Sequence, residues 1–127
     1  MVRLTALLLT GELLSAGCGA ANGNGSSRFL QSVSVTPAVA EARNFPNGQV
    51  QFTAMGTYSQ PPSPTPINQP NWSLSAANIA TITQSGLAQC DPNASGVVTV
   101  RASTAAPCSG TGCTPAELSG TAQLTCP

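Results

Sequence analysis

The sequence predicts an all-β fold, an antiparallel β-sandwich of about seven strands. Apolar side chains alternate with polar ones along several short runs, as in Val50/Phe52 and Val98/Val100. A spacing of two is typical of half-buried strands. Clusters of Gly, Pro, Asn and Ser separate these runs, which is typical of strands joined by turns. A folded part of about 100 residues is a common size for such a sandwich.

The first 17 residues have the pattern of an export signal. Arg3 gives the positive start, residues 4–9 give an apolar run, and residues 15–17 are the small residues that precede a cleavage point. The segment is too short to cross a membrane permanently. We therefore expect residues 1–17 to be the signal peptide of an exported chain.

The end of this signal resembles the lipobox of bacterial lipoproteins. Residues 14–18 read Leu-Ser-Ala-Gly-Cys, and the resemblance implies that Cys18 carries the lipid and becomes the first residue of the mature protein. Gly19 rather than an aspartate follows the cysteine, which by analogy with Gram-negative sorting favours the outer membrane of the cell envelope. An ordinary secretory signal followed by an unpaired cysteine is the alternative.

Residues 18–28 are predicted to be the lipidated cysteine and a flexible tether. The segment is rich in Gly, Asn and Ser, so it has little side chain to bury. Ten free residues have a root-mean-square reach of about 15–20 Å. The tether would therefore hold the folded domain, residues 29–127, clear of the lipid head groups.

The domain begins with two predicted strands. Val33 and Val35 alternate along the first, which ends at Pro37 because proline cannot donate to a strand ladder. Val50 and Phe52 share one face of the second strand. We expect that face to be buried.

Residues 60–70 contain five prolines and are predicted to form an irregular loop with local polyproline II geometry. Such a segment can be a ligand for aromatic grooves. A stiff connection between strands is the favoured interpretation, because proline-rich loops are common in that role.

Trp72 is the only tryptophan and opens the third predicted strand. It alternates with Leu74, which gives an inward face, so Trp72 is predicted to pack between the sheets. A platform for stacking a sugar ring is the alternative. The predicted core as a whole comprises Val50, Phe52, Trp72, Leu74, Ile82, Val98, Val100 and Leu124.

The last two strands have a self-consistent register. Placing Val98 opposite Leu124 also places Val100 opposite Ala122, and all four apolar side chains then lie on one face. This pairing predicts a long antiparallel hairpin at the end of the chain.

The chain has five cysteines. With Cys18 set aside the remaining four form an even set, which in an exported chain implies two disulfides. The hairpin register brings Cys108 close to Cys113 and leaves Cys126 near Cys90. We therefore predict the disulfides Cys90–Cys126 and Cys108–Cys113, out of three possible pairings. A four-thiolate zinc site is the alternative, which the oxidation of exported thiols and the lack of histidine disfavour.

The composition excludes several function classes. Only 6% of the residues are charged and the formal net charge is zero, so there is no basic patch for nucleic acid. No histidine or lysine is present to serve as a base for a Ser or Thr nucleophile, so no catalysis is expected.

Residues 91–96 have the spacing that begins a calcium loop, but Ala102 stands where the bidentate acid should follow. We expect a turn there, and no metal or cofactor.

Two segments resemble the bacterial Ig-like domain, group 2. Residues 48–59 (GQVQFTAMGTYS) match the family's second strand, and residues 71–87 match its middle section, with a Trp-Ser-x-Ser strand, an Ala-Thr-Ile strand and a Gly-Leu. The resemblance implies an Ig-like sandwich with a structural, adhesive or protein-binding role at the cell surface. The expected partners are the membrane, through the lipid, and surface proteins or glycans. A carbohydrate-binding module and a subunit of a larger envelope assembly are the alternatives.

Overall fold

The computed structural model describes residues 28–106, 112 and 114–127, and within these ranges the regular structure is almost entirely β. Two short 3-10 helices, Ala42–Asn44 and Pro46–Gly48, lie between the second and third strands. No helix in the described ranges is long and apolar enough to cross a membrane. The strands of these ranges are β1 (Leu30–Thr36), β2 (Val39–Glu41), β3 (Gln49–Gln51), β4 (Thr53–Tyr58), β5 (Thr65–Pro66), β6 (Asn71–Leu74), β7 (Ala80–Ile82), β8 (Leu87–Cys90), β9 (Gly96–Ala106) and β10 (Ala116–Cys126).

These strands form a two-layered sandwich, which confirms the predicted fold class. One layer is a four-stranded sheet in the order β2-β10-β9-β6. The other consists of two three-stranded pieces, β1-β4-β5 and β3-β8-β7. Phe52 alone separates β3 from β4, so the two pieces are continuous along the chain and make up one layer.

The described residues hold ten strands where the sequence predicts about seven. Phe52 divides the predicted second strand into β3 and β4, and two short strands are unpredicted: β5 in the proline-rich loop and β2 after Pro37. The first strand ends before Pro37 as expected: β1 pairs antiparallel with β4 before it, and β2 pairs parallel with β10 after it. Proline has no N–H to continue a ladder, so the chain changes layers there. The sandwich therefore contains one parallel pair besides its antiparallel ones.

The hairpin of β9 and β10 has the predicted register. Val98 lies opposite Leu124, Val100 opposite Ala122, and Ala102 opposite Gly120. A β-carbon on Gly120 would lie 2.5 Å from the carbonyl oxygen of Val33. Glycine is therefore needed at this point, because the backbone of β1 crosses β10 in close contact.

The core lies between the layers and is built largely from small side chains. Phe52, Leu124, Val50, Val98 and Val100 are its largest fully buried members. The other three predicted core residues are partly buried and pack against this cluster: Trp72, Leu74 and Ile82. Alanine contributes much of the remaining buried surface, at positions 40, 42, 54, 80, 88, 102 and 122. The layers can therefore approach closely.

A disulfide joins the two layers. It links Cys90 at the end of β8 to Cys126 at the end of β10, with 5.6 Å between the α-carbons. This is the pairing that the sequence predicts. In the chain-entropy model a closed loop of this length stabilises the fold by about 4 kcal/mol. The predicted partners Cys108 and Cys113 lie outside the described residues, as does Cys18.

Arg28 fixes the proline-rich segment to the body of the domain. Its guanidinium lies 3.6 Å from the centre of the Tyr58 ring and donates to the carbonyl oxygen of Pro62 at 2.7 Å. The segment itself contains β5, which pairs with β4. Arg28, the last residue of the predicted tether, thus makes contacts with the folded domain.

Candidate binding groove

A groove of about 840 Å³ lies in the interrupted layer. It lies where the two three-stranded pieces diverge, between the turn at residues 83–85 and the segment at residues 67–71. This size falls within the range of small-ligand sites. The described residues that line the groove are Gln51, Phe52, Thr53, Ala54, Ile67, Asn68, Gln69, Pro70, Asn71, Trp72, Ile82, Thr83, Gln84 and Ser85.

Gly86, which follows the turn at residues 83–85, contacts Phe52 at the break between β3 and β4. The Phe52 N–H donates to the Gly86 carbonyl oxygen at 2.8 Å. Gly86 has a φ of +87°, and a β-carbon there would collide with the Phe52 carbonyl oxygen and lie 2.9 Å from Cζ2 of Trp72. Glycine therefore lets the turn pass directly over the indole. Trp72 comes from the opposite layer and forms part of the groove lining.

One wall of the groove, the turn wall at residues 83–85, is tightly hydrogen-bonded. Gln51 Nε2 donates to the Ser85 carbonyl oxygen at 2.7 Å and to that of Phe52 at 2.9 Å. Thr83 Oγ1 accepts the Leu87 N–H at 3.1 Å and lies 2.8 Å from Ser85 Oγ. The side chains of Gln51, Thr83 and Ser85 are thus committed to holding the turn in place.

The other wall, the segment wall at residues 67–71, is anchored by its backbone. The Ile67 N–H donates to the Ala54 carbonyl oxygen at 2.8 Å. Gln69 has a φ of +53°, a left-handed conformation that non-glycine residues seldom adopt. Pro70 follows it directly, so two conformational restrictions meet at this wall.

Four amide side chains of the walls make no hydrogen bond to any residue of the described ranges: Asn68, Gln69, Asn71 and Gln84. Each is exposed. An amide carries both donors and an acceptor, so these four side chains offer unused hydrogen-bonding capacity on both walls of the groove.

No charged residue is among the lining residues. The two ion pairs of the described chain lie elsewhere, Glu41 with Arg43 at 2.7 Å and Arg101 with Glu117 at 3.1 Å, and all four side chains are well exposed. Exposed pairs of this kind contribute little to stability. The groove is therefore suited to a neutral ligand.

The described residues show no arrangement of side chains for binding a metal ion. No group of three or more His, Cys, Asp or Glu side chains there could hold a metal ion. Asp91 Oδ1 accepts the Asn93 N–H at 2.7 Å, so this aspartate organises the turn before β9. No carboxylate of the described residues is hydrogen-bonded to a side-chain hydroxyl, the arrangement by which a base activates a nucleophile.

The sequence does not predict this groove. It predicts Trp72 as a core residue, and the structure puts Trp72 at the boundary between core and groove. The available signal was the concentration of amide side chains at residues 68, 69, 71 and 84. Nothing in the spacing of these residues shows that residues 67–71 and 83–85 face each other.

These features define a class of protein: a small, disulfide-linked β-sandwich with a neutral polar groove. No family model matches the chain. It is 40% identical over 88 residues to ice-binding protein 1 of Shewanella frigidimarina (strain NCIMB 400). The match covers 64% of this chain and 10% of that protein, so the chain spans about a tenth of the length of its relative.

Proposed function

We propose that this chain is a lipid-anchored, non-catalytic Ig-like module of the bacterial cell envelope, which spaces or presents a binding surface outside the membrane. The observation that carries the proposal is the disulfide between Cys90 and Cys126. Disulfides of this kind persist in oxidising compartments. The disulfide therefore agrees with the export signal at residues 1–17, and the cysteine at position 18 supplies the anchor.

The resemblance to the bacterial Ig-like domain, group 2, supports the structural part of the proposal. Its two matching segments correspond to β3 with β4 and to β6 with β7, the second segment ending at the first residue of β8. These strands contribute to both layers, and both segments contain residues that line the groove. A role in adhesion, spacing or protein binding follows from that resemblance.

The similarity to ice-binding protein 1 supports a non-catalytic role, because that protein is named for binding rather than for a reaction. The match covers a tenth of it. We therefore propose that this chain corresponds to a module of such a larger protein, and we do not transfer ice binding to it.

Lipidation of Cys18 is the part of the proposal that an experiment tests most simply. The full chain is produced in a Gram-negative host supplied with a labelled fatty acid, alongside Cys18→Ala and the tether control Ser26→Ala. We expect the unchanged chain and Ser26→Ala to incorporate label and to sediment with membranes. The Cys18→Ala protein should do neither. Incorporation of label by Cys18→Ala, or its absence from the unchanged chain, would contradict the proposal.

A further inference from the structure

We infer that the groove between residues 67–71 and residues 83–85 is a binding site for a neutral oligosaccharide. The inference goes beyond the proposed function, because a spacer needs no such site. It also does not depend on lipidation, since Cys18 is no part of the groove.

Hydrogen-bonding capacity is the first reason. Asn68, Gln69 and Asn71 on the segment wall and Gln84 on the turn wall bond to no described residue and are exposed. Sugar hydroxyls both donate and accept, as side-chain amides do. A sugar ring between the walls can therefore be bonded from both sides.

The indole of Trp72 is the second reason. Its N–H donates to no residue of the described ranges, yet no buried side-chain nitrogen or oxygen there lacks a partner. The indole nitrogen is therefore accessible to solvent. Trp72, a lining residue of the groove, thus carries a hydrogen-bond donor that no described residue uses, and a sugar hydroxyl can accept from it.

The groove is also shaped in advance of binding. Gln51 holds the turn wall through Ser85, and Pro70 stiffens the segment wall. Gln69 keeps a left-handed φ of +53° although its side chain bonds to nothing described. Strained backbone of this kind tends to occur at binding sites, and a preformed site loses less entropy when it binds.

Neutrality decides between ligand classes. A phosphate, a nucleic acid or a charged peptide would need a countercharge, and the lining residues carry none. The lining also combines apolar side chains, such as those of Ile67, Trp72 and Ile82, with amides and hydroxyls. A neutral saccharide, which has apolar faces and hydroxyl groups, matches this mixed lining.

The first experiment screens the full processed protein against an array of neutral and uronic-acid-containing oligosaccharides. The neutral hexasaccharide that binds most tightly on the array is then titrated into the protein while the fluorescence of Trp72 is recorded. This tryptophan is the only one in the chain, so the tryptophan emission comes from a residue that lines the groove. We expect saturable binding with a shifted emission maximum. Binding should be unchanged between low and high salt, because no charge is involved.

The variant Asn68→Ala/Gln84→Ala removes one amide from each wall. We expect its affinity for that hexasaccharide to fall by about tenfold or more, because two hydrogen bonds are lost. The matched control is Gln31→Ala/Asn44→Ala, which removes two exposed amides that are not among the groove residues and should leave the affinity unchanged. Circular dichroism shows whether each variant folds.

Three outcomes would overturn the inference. The first is an array that retains no neutral glycan, and the second is binding of acidic glycans or peptides only. The third is a groove variant that binds the hexasaccharide as tightly as the control variant does. Loss of lipidation in Cys18→Ala should leave glycan binding intact, so a failure of the proposed function and a failure of this inference are distinguishable.

Discussion

A β-carbon placed on Gly86 would lie 2.9 Å from Cζ2 of the Trp72 indole, so the glycine of one layer and the tryptophan of the other are fitted to each other. Trp72 packs against the core and also lines the groove. The fit between the two residues therefore bears on stability, and Trp72 also bears on the binding proposed for the groove.

Gly86→Ala should destabilise the protein by about 3 kcal/mol, because it combines a strained φ with a collision against the Phe52 backbone. Gly48→Ala is the matched control, since Gly48 also has a positive φ but nothing lies within 4 Å of the added carbon. The control should lose about 1 kcal/mol. Urea unfolding followed by Trp72 fluorescence measures the free energy of unfolding of both variants. If both lose the same amount, the close contact of Gly86 with Trp72 and Phe52 does not contribute to stability.

Gly120→Ala should destabilise the sandwich by about 2 kcal/mol. The added carbon would press on the Val33 carbonyl oxygen and the Ser34 α-carbon, and both are backbone atoms that cannot rotate away. The neighbouring exposed change Ser119→Ala should alter the unfolding free energy by less than about 0.5 kcal/mol. If both variants unfold at the same urea concentration, β1 does not cross β10 as closely as described.

Cys90→Ala/Cys126→Ala should lower the unfolding free energy by about 4 kcal/mol. The reason is that the disulfide joins the two layers near the ends of β8 and β10. Unfolding of the unchanged protein after reduction is the control, and it should approach that of the double variant. Peptide mapping without reduction checks the pairing itself. A peptide joining Cys90 to Cys108 or Cys113 would refute both this pairing and the predicted Cys108–Cys113 bond.

Gln69→Gly removes an amide of the segment wall and should weaken oligosaccharide binding by about fivefold. The free energy of unfolding should be unchanged or slightly raised. Glycine accepts the left-handed φ without strain, although it also makes the unfolded chain more flexible. Asn47→Gly is the control, because Asn47 has a similar φ of 58° and is not among the groove residues. Fluorescence titration and thermal unfolding of both variants are compared. Equal affinities would remove Gln69 from the site.

The parts of the fold that the sequence predicted are those with long or redundant patterns. The β9–β10 register followed from several alternating apolar residues, such as Val98 and Leu124, that agree on one face. The pairing of Cys90 with Cys126 followed from that register. A three-residue strand such as β2 carries no usable period, so its parallel pairing with β10 was not predictable.

The groove could not be predicted because it depends on contacts between distant residues. Gln51 and Ser85 are 34 positions apart, and neither residue has a local pattern that indicates the other. The break at Phe52 is also invisible in the sequence, since its alternation with Val50 and Ala54 continues as in an uninterrupted strand. Only the folded chain shows that Trp72 is reached from outside.

The most direct test of the proposed lipid-anchored module is the mass of the N-terminal peptide of the mature protein, recovered from the membranes of a Gram-negative host. The account predicts a peptide that begins at Cys18 and carries the mass of the attached acyl chains. A mature protein that begins at another residue, or one that begins at Cys18 without added mass, would contradict it.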